Sequence, residues 1–342
     1  MKLSLGVPTK ESGEADVSVG LDIGHDYIKL VVLKKENGQI YLDDFCLEGV
    51  FGNVSNELKN IVNKCDISSS DVNISLSGKS IIIRNLWLPI MGREELKKNL
   101  QYELDQYIPF PPEEVYYDAY IFGESQLTRK ENKMRVVLAA AMKKYVEEKI
   151  GILKEAGINL NVIDMDAISL FNIFSAGRKD DSTVALIDIG SNKVIIDILA
   201  GDVLTFTREV ELGFSPAKSA MLPRLTVGSD EKESPAAVDD LQADSYIQDL
   251  AKRISKEVSS SFKYYEGHEQ RSVERVYVTG GGSLFKGLVD MLKQDIGESV
   301  EVWSPFENIK FSEGIDAKTI KDLETYAPLF SVSAGLAYRS LK

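Results

Sequence analysis

Asp22, Gly24, His25 and Lys29 stand close together in residues 17–33, VSVGLDIGHDYIKLVVL. An apolar run ends in Asp22-Ile23-Gly24, a polar turn follows at His25-Asp26-Tyr27, and a second apolar run begins at Ile28. This pattern reads as a strand, a tight turn and a returning strand. Gly24 lets main-chain N–H groups come close to an anion. Asp22 at the same mouth can hold the hydrated cation that the anion brings with it. Lys29 either reaches back toward a phosphate as a point charge or is an exposed strand lysine. His25 either touches phosphate or is an exposed turn residue.

Residues 183–199, TVALIDIGSNKVIIDIL, repeat the device. Asp22 aligns with Asp188, Ile23 with Ile189, Gly24 with Gly190, Val32 with Ile198 and Leu33 with Leu199. A motif repeated at close to half the chain length predicts two similar domains that face each other. A third piece is Gly280-Gly281-Gly282, between a strand and a helix start. Backbone N–H groups at a helix N-terminus carry roughly half a positive charge and suit phosphate or ribose oxygens. The alternative is a plain strand-to-helix turn. It is not a Walker A loop, because Leu288 and Val289 follow Gly287 where that motif needs Lys and Ser or Thr.

The elements that position these residues read as α/β. Strand 39–45, helix 54–65 and strand 72–76 follow the first hairpin. The character changes at Gly78. Strand 80–88 is stopped by Pro89, and helix 93–108 turns Leu96, Leu100 and Leu104 to one side. Pro109, Pro111 and Pro112 then forbid a helix. Strand 134–140 and helix 145–156, stopped at Gly157, complete an inserted β-α-β-β-α unit. Asp166 sits where a strand end meets a helix and reads as a cap or as a carboxylate that orients water. Helix 245–266 turns Ile247, Leu250, Ile254, Val258, Phe262 and Tyr265 inward. Its Lys256, Glu257 and Ser260 stripe either meets an adenosine or is a solvated face. Residues 1–16 are expected to be a disordered tail, residues 228–244 a mobile acidic loop, and residues 328–341 a closing helix.

Composition narrows the class. The 342 residues suffice for two domains. A net charge of −13 argues against a nucleic-acid backbone as the main partner. The two cysteines, Cys46 and Cys65, read as buried reduced thiols of a cytosolic protein, with a single disulfide between them as the alternative. Two histidines make a His-based zinc site improbable. No apolar run reaches membrane-spanning length, so a cytoplasmic location is expected.

Taken together, Asp22-Ile23-Gly24 with Lys29, Asp188-Ile189-Gly190 and Gly280-Gly281-Gly282 resemble the phosphate-1, phosphate-2 and adenosine motifs of the actin/sugar-kinase superfamily. The inserted unit lies where the division protein FtsA carries its own extra subdomain. Tyr107-Ile108-Pro109-Phe110-Pro111 with Glu114-Val115, and the closing residues 330–337, resemble the PilM family of type IV pilus assembly. The resemblance implies an actin-like two-domain (RNase H-like duplicated) α/β fold with an FtsA-type inserted 1C subdomain. Subdomain 1A would be residues 17–77, 161–180 and 325–342, and 1C residues 78–160. Subdomain 2A would be residues 181–222 and 270–324, and 2B residues 223–269.

The resemblance also implies ATP with Mg²⁺ as cofactors. Asp22 and Asp188 would hold the Mg²⁺, through water. Gly24, His25, Lys29, Gly190, Ser191 and Asn192 would meet the phosphates, and Lys256, Glu257, Ser260 and Gly280 to Gly282 the nucleoside. Asp166 would orient the attacking water, in a protein that binds nucleotide more than it turns it over. The implied partner is the N-terminal cytoplasmic peptide of the inner-membrane protein PilN. It would dock at Leu86, Leu88, Tyr107, Pro109 and Phe110 and recruit the chain peripherally to that membrane. Leu86 and Leu88 could equally be core of the insert, as Leu100 and Leu104 are expected to be. An FtsA-like filament-forming division protein and a small-molecule kinase of the same superfamily stay open. FtsA ends in an amphipathic membrane helix, and no such helix is expected from residues 339–342, which counts against the first of these.

Overall fold

The computed structural model describes residues 17–65, 67, 70–122, 129–130, 132–176, 178, 180–214, 240–285, 287–297 and 299–341. The expected tail, 1–16, and most of the expected acidic loop, 228–239, lie outside the described residues.

Two sheets repeat one plan. In the first, β1 (Val17–Ile23), β2 (Tyr27–Glu36) and β3 (Gln39–Gly49) form an antiparallel meander. β4 (Asp71–Leu76) lies parallel to β1, and a further strand, Asn159–Met165, lies parallel to β4. In the second, the meander is Thr183–Ile189, Val194–Ala200 and Val203–Val210, extended in parallel by Arg275–Thr279 and Val300–Val302. The two sheets therefore correspond strand for strand, apart from the short Lys310–Phe311, which pairs with β3 in the first. The correspondence reaches single residues. The outer register shifts between Val32 and Leu33 in one sheet and between Ile198 and Leu199 in the other. These are the pairs aligned by the sequence repeat, and a bulge at the same place bends both meanders alike.

The central strands of each sheet, such as Val17–Ile23 and Thr183–Ile189, are buried along most of their length, so both faces of the sheet are covered. The C-terminal helix Ser331–Arg339 crosses β1 where Gly20 has no side chain; a Cβ there would lie 2.0 Å from the Ser333 carbonyl oxygen. Its end is held by a buried ion pair, Arg339 to Asp164 at 2.8 Å. In the second lobe the long helix Asp240–Glu269 turns Ile247, Leu250, Ile254, Val258 and Tyr265 onto the sheet.

The insert is a third sheet, in the order Ile81–Pro89, Lys133–Met142, Val115–Ile121. Helix Arg93–Tyr107 covers one face with Leu96, Leu100 and Leu104. The other face turns inward against the two lobes: Phe122 meets Phe171 edge-on at 6.5 Å between ring centres. Arg135, 2% exposed, lies over the Trp87 ring. It donates to the Thr205 carbonyl at 3.2 Å and pairs with Glu269 at 2.7 Å, both in the second lobe. A buried guanidinium needs such partners. The insert is thus bonded to both lobes. No helix among the described residues is long and apolar enough to cross a membrane.

Candidate functional site

The repeated hairpins meet at one cleft of about 410 Å³. That volume is ordinary for a ligand site. Each hairpin closes with the same four-residue turn. The Gly24 N–H donates to the Tyr27 carbonyl at 3.1 Å, and the Gly190 N–H to the Lys193 carbonyl at 2.8 Å. The turns therefore present a carboxylate, a bare glycine backbone and a lysine from opposite walls. Asp22, Gly24, His25, Lys29, Asp166, Asp188, Gly190, Ser191, Asn192, Gly280 and Gly281 all line the cleft.

The charges are ordered. Asp22 and Lys29 face each other across the β1–β2 ladder and pair at 2.7 Å. Asp166 does not act as a helix cap; Met165 holds that position. Its buried carboxylate instead pairs with Lys193, whose ammonium also donates to Ser77. Burial opposes ionisation of Asp166, but the Lys193 charge and hydrogen bond outweigh it and hold its pKa below the usual carboxylate range. Burial pulls the Lys193 pKa down, but the charge and hydrogen bond of Asp166 together with the Glu209 and Asp22 charges raise it above the usual lysine value. Asp188 is pushed up to about 7, first by burial, then by the nearby Asp166 and Asp22 carboxylates against the opposing Lys193. Ionised Asp188 is therefore short of positive charge.

Gly280 has φ +79°, and a Cβ there would lie 2.3 Å from Asp188 Oδ1. Only glycine lets the backbone pass this close to the carboxylate. Among the described residues no three Asp, Glu, His or Cys side chains cluster into a metal cage. The donor set fits a phosphate chain bringing a hydrated Mg²⁺, since that ion keeps several waters and takes one or two carboxylates with substrate phosphates.

Four expected residues do not line the cleft. Gly282 packs behind it against Ile189. Glu257 is taken by Arg208 at 2.7 Å, and the Ser260 hydroxyl donates to the Lys256 carbonyl. Lys256, Glu257 and Ser260 are not among the residues that line the cleft. The expected peptide groove needs a similar correction. Leu88 is 5% exposed and belongs to the insert core, and Leu86, Tyr107 and Phe110 pack partly against it. Alternation in the strand turns Leu86 and Leu88 to the same side as the covering helix. Pro109 is exposed.

Lys193 was not singled out in sequence. Aligning the hairpins on their aspartates sets Lys29 against Ile195, so the second lysine, two residues earlier in its turn, breaks the correspondence. Ser77, Tyr145, Glu209 and Glu211 also reach the cleft, and no local pattern marks them. A second cavity of about 390 Å³ shares Gly78, Asp166, Glu209 and Glu211 with the cleft and continues between strands Ile81–Pro89 and Val203–Val210. There the Gly78 N–H donates to Glu209 at 3.2 Å and Lys79 pairs with Glu211 at 2.9 Å.

The sequence matches the model of a family described as type IV pilus assembly protein PilM over residues 20–341. The fold is similar to that of a solved PilM-PilN type IV pilus biogenesis complex, with TM-score 0.77 and 22% identity, covering 96% of this chain and 100% of that one. More distant likenesses include the ethanolamine utilization protein EutJ from Carboxydothermus hydrogenoformans, with TM-score 0.47 and 12% identity, covering 96% of this chain and 91% of that one. Another is MreB 5 of Spiroplasma citri bound to AMPPNP, with TM-score 0.44 and 11% identity, covering 94% of this chain and 95% of that one. With a match to the family model over nearly its whole length, this chain belongs to the PilM family of type IV pilus assembly proteins.

Proposed function

We propose that the chain is an ATP-binding adaptor of type IV pilus assembly that takes the N-terminal peptide of PilN and links the inner-membrane complex to the pilus motor. The observation that carries the nucleotide half is the pair of equivalent glycine turns, each beside an aspartate and a lysine, on opposite walls of one cleft. Gly24 and Gly190, with no side chain, would let the phosphates approach the two turns closely, and Lys29 and Lys193 would offer charge. Asp22 and Asp188 would hold the hydrated Mg²⁺, which supplies the positive charge that Asp188 lacks. Asp166 would orient a water only after leaving Lys193. That restraint favours binding over turnover.

The peptide half rests on the solved PilM-PilN complex and on the exposed, rigid Pro109 beside Tyr107 and Phe110. Such a surface holds a peptide with little loss of chain entropy. The cavity shared by the cleft and the insert supports a nucleotide effect on docking. We assign the insert, residues 78–160, as the docking subdomain and the cell cytoplasm as the site of action. The test is anisotropy of a labelled PilN N-terminal peptide titrated with this protein, with and without Mg-ATP. Saturable binding that Mg-ATP shifts and Phe110→Ala weakens is expected. Absence of binding in both conditions would defeat the peptide half.

A further inference from the structure

The two cysteines of the chain meet in the first lobe, outside the cleft lining. Cys46 lies in β3, paired with Leu30 across the ladder, and is 9% exposed. Cys65 closes helix Val54–Lys64; its N–H donates to the Ile61 carbonyl at 3.0 Å, and it is half-buried. Both are free thiols, and the Cys65 thiol donates to the Cys46 sulfur. Their neighbours bridge the same seam. Glu48, on the same face of β3 as Cys46, pairs with Lys64 and accepts from the Asn60 amide at 3.4 Å. The two backbones are therefore held side by side by contacts that involve no sulfur. The hydrogen bond from Cys65, helped by the Lys64 charge, holds the Cys46 thiol below its ordinary pKa against burial. The same bond, with burial, pushes the Cys65 thiol up. The pair thus gives up one proton and keeps the second. A thiolate beside a second thiol, with one of the two open to solvent, is the arrangement of a redox-sensitive pair.

We propose that Cys46 and Cys65 form a reversible disulfide by exchange with a low-molecular-weight disulfide such as oxidised glutathione, a modification that staples the end of helix Val54–Lys64 to β3. The more exposed Cys65 sulfur attacks one sulfur of the small disulfide, passing its proton to Cys46, and one small thiolate leaves. Cys46 then loses that proton to water and attacks the Cys65 sulfur of the mixed disulfide, expelling the second small thiolate. Each departing thiolate takes a proton from water. Two protein thiols are oxidised, and one small disulfide is reduced to two thiols. In a reducing compartment the bond forms only while the small-thiol pool is oxidised. It closes the segment that carries Val50 and Val54, both in the cleft lining, and the Val50 N–H donates to the Asp26 carbonyl of the first turn at 2.8 Å. The staple therefore braces one wall of the cleft, whatever the cleft binds.

Mass spectrometry of the whole protein after incubation with oxidised glutathione tests this. Wild type should lose two hydrogen masses, take up no alkylating reagent when then unfolded, and regain both thiols in reduced glutathione. Cys46→Ser should stop at the glutathione adduct on Cys65, whereas Cys65→Ser, whose remaining thiol is buried, should react slowest. Oxidised wild type should melt about 4 °C above the reduced protein, as expected for a crosslink that closes a short loop in a chain of this length. Cys46→Ser/Cys65→Ser should melt alike in both buffers. Wild-type thiols that stay free, glutathione adducts that never close to a disulfide, or a disulfide that links two chains overturn the proposal. So does an oxidised wild type that melts below the reduced one.

Discussion

Replacing Asp188 by Asn should stabilise the protein free of nucleotide and Mg²⁺, and do so only where the native carboxyl is ionised in the unfolded chain. The folded pKa is about 7 against an ordinary 3.8, with burial as the leading cause. Between those values the folded chain keeps the proton and the unfolded chain does not. Stability therefore falls as pH rises through the window, by about 1.4 kcal/mol per unit. Below about pH 4 both states are protonated and the cost vanishes; above about pH 7 it reaches its full value of about 4 kcal/mol. Asn keeps the shape without the charge, so the gain should be about 4 kcal/mol at pH 8 and under about 2 kcal/mol at pH 5. At about 2 cal/mol/K per residue over the whole chain, the pH 8 gain is a rise of about 6 °C in melting temperature. Circular dichroism melts of both proteins at the two pH values, with chelator present, read this out. A variant that melts below wild type at pH 8, or gains equally at both pH values, refutes the account of Asp188 as a carboxylate awaiting a cation.

Arg135→Met should cost about 3 kcal/mol in chemical denaturation by removing a buried cation from the contact between insert and second lobe, with part restored by adding Glu269→Gln. Lys193→Met should cost a similar amount by stranding the Asp166 carboxylate, and Asp166→Asn in the same chain should recover most of it in the same assay. Gly280→Ala should lose about 2 kcal/mol from its positive φ alone, and should abolish nucleotide binding measured by calorimetry because the new Cβ meets Asp188.

The duplicated hairpins were legible in sequence because a strand-turn-strand is a local object, and its repeat picked out the aspartates and the glycines; the bulge common to both meanders was not read there. The triple glycine was legible in part: Gly280 and Gly281 face the cleft, but Gly282 does not, since a turn presents only some of its residues. What escaped was set by tertiary packing. Lys193 shares a turn with Gly190 yet earns its meaning only from Asp166, which arrives from another lobe. The stripe of Lys256, Glu257 and Ser260 was visible as polar, but the pairing of Glu257 with Arg208 in a neighbouring strand was not. Arg135 gave no local signal at all, lying in the otherwise apolar run 134–142 with partners 70 and 134 residues further along. The insert's β-α-β-β-α order was readable; its bonding to the second lobe was not.

The measurement that bears most directly on the central claim is calorimetric titration of Mg-ATP into wild type and into Asp22→Ala/Asp188→Ala. The account predicts saturable binding of one equivalent by wild type, and a loss of at least about tenfold in the variant, which lacks both carboxylates that hold the cation. Equal affinity in the two proteins, or no heat of binding in wild type, would contradict it.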